Sequence, residues 1–340
     1  MHLLTLGQAN QLSLADTTCI YTFMGSAWIV GVAVLIGVPL VSYIVEWLRP
    51  APVAPERLSW APNIPVAYLT VGGTRLRYIT AGQGPALVLL HTLRTQLDMF
   101  QRVVLPLAKR FRVYALDYPG HGYSAIPAAQ YTPDFFVASV AGFLEALQIK
   151  DAVVVGESIG GSIALLLAAR HHPSVRRVVA INPYDYDGGR GIRRSSAIAN
   201  VLFALNDVPI LGTTFTRLRQ YPIVKRILEG GMYRRESMPT ALAREMYEVG
   251  NRPGHYRAFM SLVRHWAGWE RVRSEYKLID RPVLLVYGDH DWSRVSEREA
   301  DHQAIPGAQL RTVKDAGHFL ALDAPDELVR AILDFAKGGA

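Results

Sequence analysis

Three β-branched residues, Val153-Val154-Val155, run into Gly156-Glu157-Ser158-Ile159-Gly160-Gly161, and an apolar helical pattern through Ile163, Ala164 and Leu165 starts at once. A buried strand that turns sharply into a helix leaves a serine at the bend with its Oγ exposed, the arrangement of a nucleophile elbow. Gly156 and Gly160 lack the Cβ atoms that would collide across so tight a turn, and Gly161 lets the helix pack close to the sheet. The Ile159 N–H then sits at a helix N-terminus, where it can donate to a developing oxyanion. The implied chemistry is nucleophilic attack by Ser158 on a carbonyl. A chance Gly-x-Ser-x-Gly in a Gly-rich chain would lack the strand before it and the helix after it.

A chain of 340 residues fits one large α/β domain with additions. Half of its residues are hydrophobic and under a fifth are charged, an excess that points to a big buried sheet, a membrane segment, or both. The single cysteine, Cys19, excludes an intrachain disulfide, a thiol relay and a cysteine-based metal site. Its surroundings, Ala15-Asp16-Thr17-Thr18, have no lipobox character, and it reads as a passive thiol.

Residues 1–20 form a tail without Lys or Arg, and residues 21–48 are apolar and uncharged until Glu46. Trp28 and Trp47 are nineteen steps apart, about 28 Å of helix, which matches a bilayer core with an aromatic at each rim. This predicts a single transmembrane helix, with Pro39 tolerated inside it. A cleaved signal peptide would want a basic start and a small-residue cleavage site, and neither is present. The charge bias, none before the helix and Arg49, Arg57, Arg75 and Arg77 after it, puts the rest of the chain on the cytoplasmic side. Five prolines between residues 49 and 65 read as a stiff, extended linker that keeps the domain off the helix.

Residues 66–71 and 74–80 alternate around Gly72-Gly73 as a hairpin. Continuous apolar runs at 86–91, 111–116, 152–155, 175–181 and 282–287 read as buried strands, and helical patterns at 96–109, 133–147 and 159–171 lie between them. Strand and helix alternate, so the fold class is α/β, a mostly parallel central sheet with helices on both faces. Sites in such sheets lie at the carboxyl ends of the strands, where Ser158 falls.

From about Val66 to Lys337 the chain resembles the α/β-hydrolase fold family. Four landmarks carry the resemblance. Leu89-Leu90-His91-Thr92 is similar to its His-Gly oxyanion loop, and Asp117-Tyr118-Pro119-Gly120-His121-Gly122-Tyr123-Ser124 to its D-x-x-G-x-G-x-S loop. Gly156–Gly160 is the elbow. Val286-Tyr287-Gly288-Asp289-His290-Asp291 and Asp315-Ala316-Gly317-His318-Phe319 resemble its acid and histidine loops. The resemblance implies Ser158 as nucleophile, His318 as general base then acid, and Asp291 as the orienting carboxylate. It also implies a core of residues 66–183 and 276–340, interrupted by a helical cap over 184–275.

Competing residues are assigned elsewhere. His91 and His121 are implied to be hydrogen-bonding scaffold, His255 a cap residue and Asp289 a solvated acid; Asp185 or Asp187 is the alternative position for the acid. One departure from the family pattern is His91-Thr92-Leu93-Arg94 in place of His-Gly. The second oxyanion donor would be the Leu93 N–H, and Thr92 could tighten that loop, offer its own hydroxyl, or spoil the hole. A serine nucleophile argues against haloalkane dehalogenase and epoxide hydrolase chemistry, which need a carboxylate there. With no Gly-rich phosphate loop and no metal-ligand cluster, no cofactor and no metal are implied.

The cap carries fifteen Arg and Lys against nine acids, nearly all of the chain's formal charge of +7. It reads as a solvated face, a surface lying against anionic headgroups, or a site for an anionic substrate; nucleic acid is excluded for want of a binding motif. Its aromatic residues suit a small-molecule substrate with an apolar acyl group. The expectation is a membrane-anchored serine hydrolase that cleaves an ester. The alternatives are a catalytically idle hydrolase-like scaffold at the membrane, or a C–C bond, thioester or amide hydrolase or perhydrolase with the same three residues.

Overall fold

The computed structural model describes residues 14–208 and 210–338, beginning with helix α1 (Leu14–Trp47). Of the side chains of α1, Trp28 and those from Gly31 onward are described. Among the described residues no helix is long and apolar enough to cross a membrane. The span expected over residues 21–48 is therefore not shown, and much of its first half lies outside the described side chains, as do residues 1–13.

The strands are β1 (Arg57–Leu58), β2 (Ala61–Val71), β3 (Thr74–Ala81), β4 (Ala86–Leu90), β5 (Arg112–Leu116), β6 (Ala152–Glu157), β7 (Val175–Ile181), β8 (Val283–Gly288) and β9 (Gln309–Val313). They form one sheet in the order β1-β2-β3-β5-β4-β6-β7-β8-β9. Pairing is antiparallel from β1 to β5 and parallel from there to β9. The hairpin register Val71↔Thr74 closes over Gly72 and Gly73, both at positive φ (52° and 78°), the two-residue turn that matches the strand twist.

Side-chain alternation decides how the sheet is covered. Val88, Leu90 and Val154 face one side, where Phe143 of α3 (Pro133–Ala146) and Ile163 of α4 (Ile159–Ala169) bury against them. Leu87, Leu89, Val153 and Val155 face the other, under Leu107 of the short helix α2 (Val104–Ala108) and Ile332 of the last helix, Pro325–Lys337. The helix expected over 96–109 is instead a 3₁₀ turn, Leu97–Phe100, followed by α2. Polar partners take the first part out of helical register. Asp117 accepts from the Leu97 N–H at 2.7 Å, and Asp98 accepts from Trp60 and from buried Arg77, both at 2.8 Å.

Between β7 and β8 lie the cap helices α5 (Ala197–Leu205), α6 (Leu211–Arg217), α7 (Tyr221–Glu229), α8 (Thr240–Val249), α9 (His255–Arg264) and α10 (Ala267–Arg271). The carboxyl end of α1 is docked on them. Arg217 donates to Ser42 Oγ at 2.9 Å and lies 3.7 Å over the Tyr43 ring, while Arg219 pairs with Glu46 at 2.6 Å. Arg49 reaches the Tyr247 hydroxyl and the carbonyls of Arg217 and Arg219. The segment read as a stiff, extended linker is anchored at its start by Arg49 and joins the sheet through β1.

Candidate active site

The elbow is built from close approaches. A Cβ on Gly156 would lie 1.9 Å from the Gly160 carbonyl oxygen, and one on Gly160 would lie 2.1 Å from that of Leu90. Ser158 pays for the bend with φ 60° and ψ −121°, a conformation rare outside glycine. Its N–H donates to the Ile181 carbonyl at 2.8 Å, tying the turn to the end of β7. The Ile159 N–H opens α4, and among the described residues neither it nor the Leu93 N–H is engaged.

His318 is placed from the other side. Asn182, just past β7, donates to the His318 and Gly317 carbonyls at 2.9 and 3.1 Å and accepts from the Gly288 N–H at 3.0 Å. One side chain therefore ties the histidine loop to the ends of β7 and β8. His318 Nδ1 lies 2.5 Å from Asp291 Oδ1. The second Asp291 oxygen accepts from the Ser293 N–H at 2.9 Å and from the Ser293 hydroxyl, which in turn accepts from Arg298 Nε at 2.9 Å. Burial alone would raise the Asp291 pKa; the His318 charge and the hydrogen bonds from His318 and Ser293 outweigh it and hold the carboxyl below its usual range. Ser158 Oγ and His318 Nε2 are both buried, and each is without a hydrogen-bond partner among the described residues.

The competing residues are occupied. His91 Nδ1 meets the Thr92 carbonyl at 2.8 Å and His91 Nε2 accepts from the Tyr118 N–H at 3.3 Å. Burial lowers both His91 and His121 to about 3, so neither is a base with charge to spare at neutral pH. Asp185 accepts from the Tyr276 hydroxyl at 2.6 Å and Asp187 pairs with Arg194, while His318 Nδ1 meets Asp291. Asp289 is solvent-facing, within ligand distance of His290 and Asp315 in an exposed group that holds no site by itself. Thr92 keeps a negative φ; the left-handed position of the loop falls two residues on, at Arg94 (φ 56°), so the fold does not demand a glycine at 92. The Thr92 carbonyl, held by His91 and by Thr95 Oγ1 at 2.9 Å, fixes the loop.

Two of the three neighbours that brace the site, Trp292 and Asn182, carry no sequence signal, and the third, Glu157, stands inside the elbow motif. Trp292 stacks on His318, Asn182 ties the loops, and Glu157 accepts from the Ala321 N–H at 3.0 Å behind the serine. Asparagine and tryptophan beside loops form no periodic pattern; only the adjacency of Trp292 to Asp291 could have drawn attention. Above them a narrow apolar cavity is walled by Thr92, Leu93, Trp292 and Phe319 from the core and Phe203, Val224 and Leu228 from the cap.

A family model described as alpha/beta hydrolase fold matches residues 85–325. The chain belongs to the α/β-hydrolase fold family. This hydrolase is 30% identical over 279 residues to a 2-hydroxymuconate semialdehyde hydrolase of Pseudomonas sp. (strain CF600), covering 78% of this chain and 92% of that one. It is similar to the crystal structure of the enol-lactonase from Burkholderia xenovorans LB400, with TM-score 0.64 and 26% identity over 79% of this chain and 99% of that chain. The structure of a membrane phospholipase A matches with TM-score 0.68 and 23% identity, over 94% of this hydrolase and 98% of that chain, a likeness of fold.

Proposed function

We propose that this α/β hydrolase is a serine esterase that acts through an acyl-enzyme on Ser158. The observation that carries the reading is the pairing of His318 with Asp291 at 2.5 Å while Ser158 Oγ and His318 Nε2 stay buried and uncommitted. Ser158 Oγ attacks the ester carbonyl as its proton passes to His318 Nε2, and the N–H groups of Ile159 and Leu93 receive the oxyanion. Collapse expels the alcohol with the proton from His318. A water deprotonated by His318 then attacks the acyl carbon, the acid leaves and Ser158 recovers its proton. The apolar cavity under the cap supports an apolar acyl chain. Rapid-quench hydrolysis of p-nitrophenyl butyrate tests this: a nitrophenol burst stoichiometric with enzyme, and a butyryl adduct on Ser158 by mass spectrometry, are the expected results. Absence of both from folded protein rejects it.

The 30% identity to a semialdehyde hydrolase supports C–C bond hydrolysis as a second reading, with the same serine and a carbon leaving group. We further propose that residues 21–48 anchor the chain in a membrane with the catalytic domain on the cytoplasmic side. Val32, Leu35, Leu40 and Ile44 on α1 are exposed apolar side chains that nothing described covers, and the basic cap lies beside them. Alkaline carbonate extraction of membranes from expressing cells checks it: retention in the pellet is expected, and full release is the contrary result.

A further inference from the structure

Two neighbouring cavities under the cap share Arg94, Phe203, Val224 and Ile227. The inner one reaches Leu93 at the candidate oxyanion site, and the outer, roomier one reaches Arg219 and Phe259. Their two cations differ in kind. Arg219 is committed to Glu46, to the Gly250 carbonyl and to Asn251. Arg94 makes no hydrogen bond or ion pair among the described residues, and its described contact is the face of the Phe259 ring at 4.7 Å. The acid that attracts it, Glu46, is already engaged by Arg219 and by Arg49 at 3.4 Å. Burial first, then repulsion from Arg219, work against the Arg94 charge, with Glu46 opposing them. Arg94 is half-buried and a guanidinium keeps its proton in proteins, so its unpaired charge suits an incoming anion rather than deprotonation. The left-handed backbone at Arg94 is of the kind that persists where its surroundings hold it.

We propose that Arg94 is a specificity residue that binds a carboxylate at the far end of an apolar acyl chain, so that the preferred substrates are monoanionic half-esters of dicarboxylic acids. The planar fork of a guanidinium fits a carboxylate through two parallel hydrogen bonds, which a neutral acyl chain cannot offer. The inference takes the scissile ester from the esterase reading, but binding to Arg94 can be measured without turnover.

The test is calorimetric titration of the full chain carrying Ser158→Ala with monomethyl adipate and with methyl hexanoate, which match in chain and ester and differ in the carboxylate. At least tenfold tighter binding of monomethyl adipate is expected, with the preference lost on adding Arg94→Gln and largely kept with Arg94→Lys. Equal binding of the two ligands, or a preference that survives Arg94→Gln, overturns the proposal. Since Ser158 is absent from every arm, a failure here leaves the esterase reading standing. Conversely, a carboxylate preference in a protein with no nitrophenol burst keeps Arg94 as an anion site and rejects the esterase chemistry.

Discussion

Trp292 lies flat on His318, with ring centroids 3.7 Å apart and planes within 11°. Its indole N–H donates to the Gly230 carbonyl at 3.0 Å, and its own carbonyl accepts from Arg194, so two cap residues hold the plate against which the imidazole rests. A stacked aromatic pair contributes about 0.5–1.5 kcal/mol beyond its buried area. Trp292→Ala is expected to lower kcat for ester hydrolysis by roughly tenfold through loss of imidazole orientation, and Trp292→Phe by less. Steady-state kinetics on both variants check it; an unchanged kcat in Trp292→Ala contradicts the positioning role.

The carboxylate under the other ring nitrogen has a larger effect. Asp291→Asn leaves the shape but permits the wrong tautomer, and a loss of about 10³–10⁴ in kcat is expected. Ser293→Ala removes one of two Ser293 hydrogen bonds to Asp291 and is expected to cost about tenfold. The folded Asp291 pKa is depressed, so its contribution to stability is present above the unfolded value of about 3.9 and is lost as pH falls through the lower folded value. Acid unfolding of Asp291→Asn should accordingly begin no earlier than that of the wild type once their neutral-pH stabilities are matched by denaturant.

Glu157 titrates in the opposite sense. Burial pushes it up to about 8, against the N–H groups of Ala321 and Leu320 that favour its charge. A raised carboxyl pKa means the native state binds the proton more tightly. Stability is then full below about 4.3 and declines as pH rises through about 8. Melting temperatures at pH 5, 7 and 9 should fall in the wild type, and Glu157→Gln should flatten that trend. Parallel curves for the two proteins would refute the assignment.

Glu46 and Arg219 are nearly enclosed, with side chains 10% and 4% exposed. Breaking such a pair from one side costs about 3–5 kcal/mol, because the remaining charge stays buried. Glu46→Ala is expected to destabilise the cap and to expose the 49–65 segment to limited proteolysis, whereas Glu327→Ala, at an exposed Arg330 pair, leaves the cleavage pattern unchanged. Equal protease resistance in Glu46→Ala and wild type argues against docking of α1.

Most of the sheet was legible because its signals are local. The runs at 86–91 and 175–181 are apolar wherever both faces are covered, and Gly72-Gly73 dictates its own turn. Helix α7 is hard to read from the sequence, because Pro222 resembles a breaker although it sits in the first turn, where its missing N–H costs nothing. The helix Val295–Ala304 was missed for another reason. It buries Arg298 and Asp301 rather than an apolar stripe, so it carries no hydrophobic period. At the site, Ser158 announced itself by strand, glycines and helix. Trp292 on His318, Asn182 between two loops and Arg94 in the cavity depend on contacts across more than twenty residues, for which spacing gives no rule.

The central claim, an activated serine at 158, is tested most directly by labelling the purified protein with a fluorophosphonate probe. Wild type should label, and Ser158→Ala and His318→Ala should not. No labelling of folded wild type, or equal labelling of Ser158→Ala, would contradict it and leave a hydrolase fold used for binding alone.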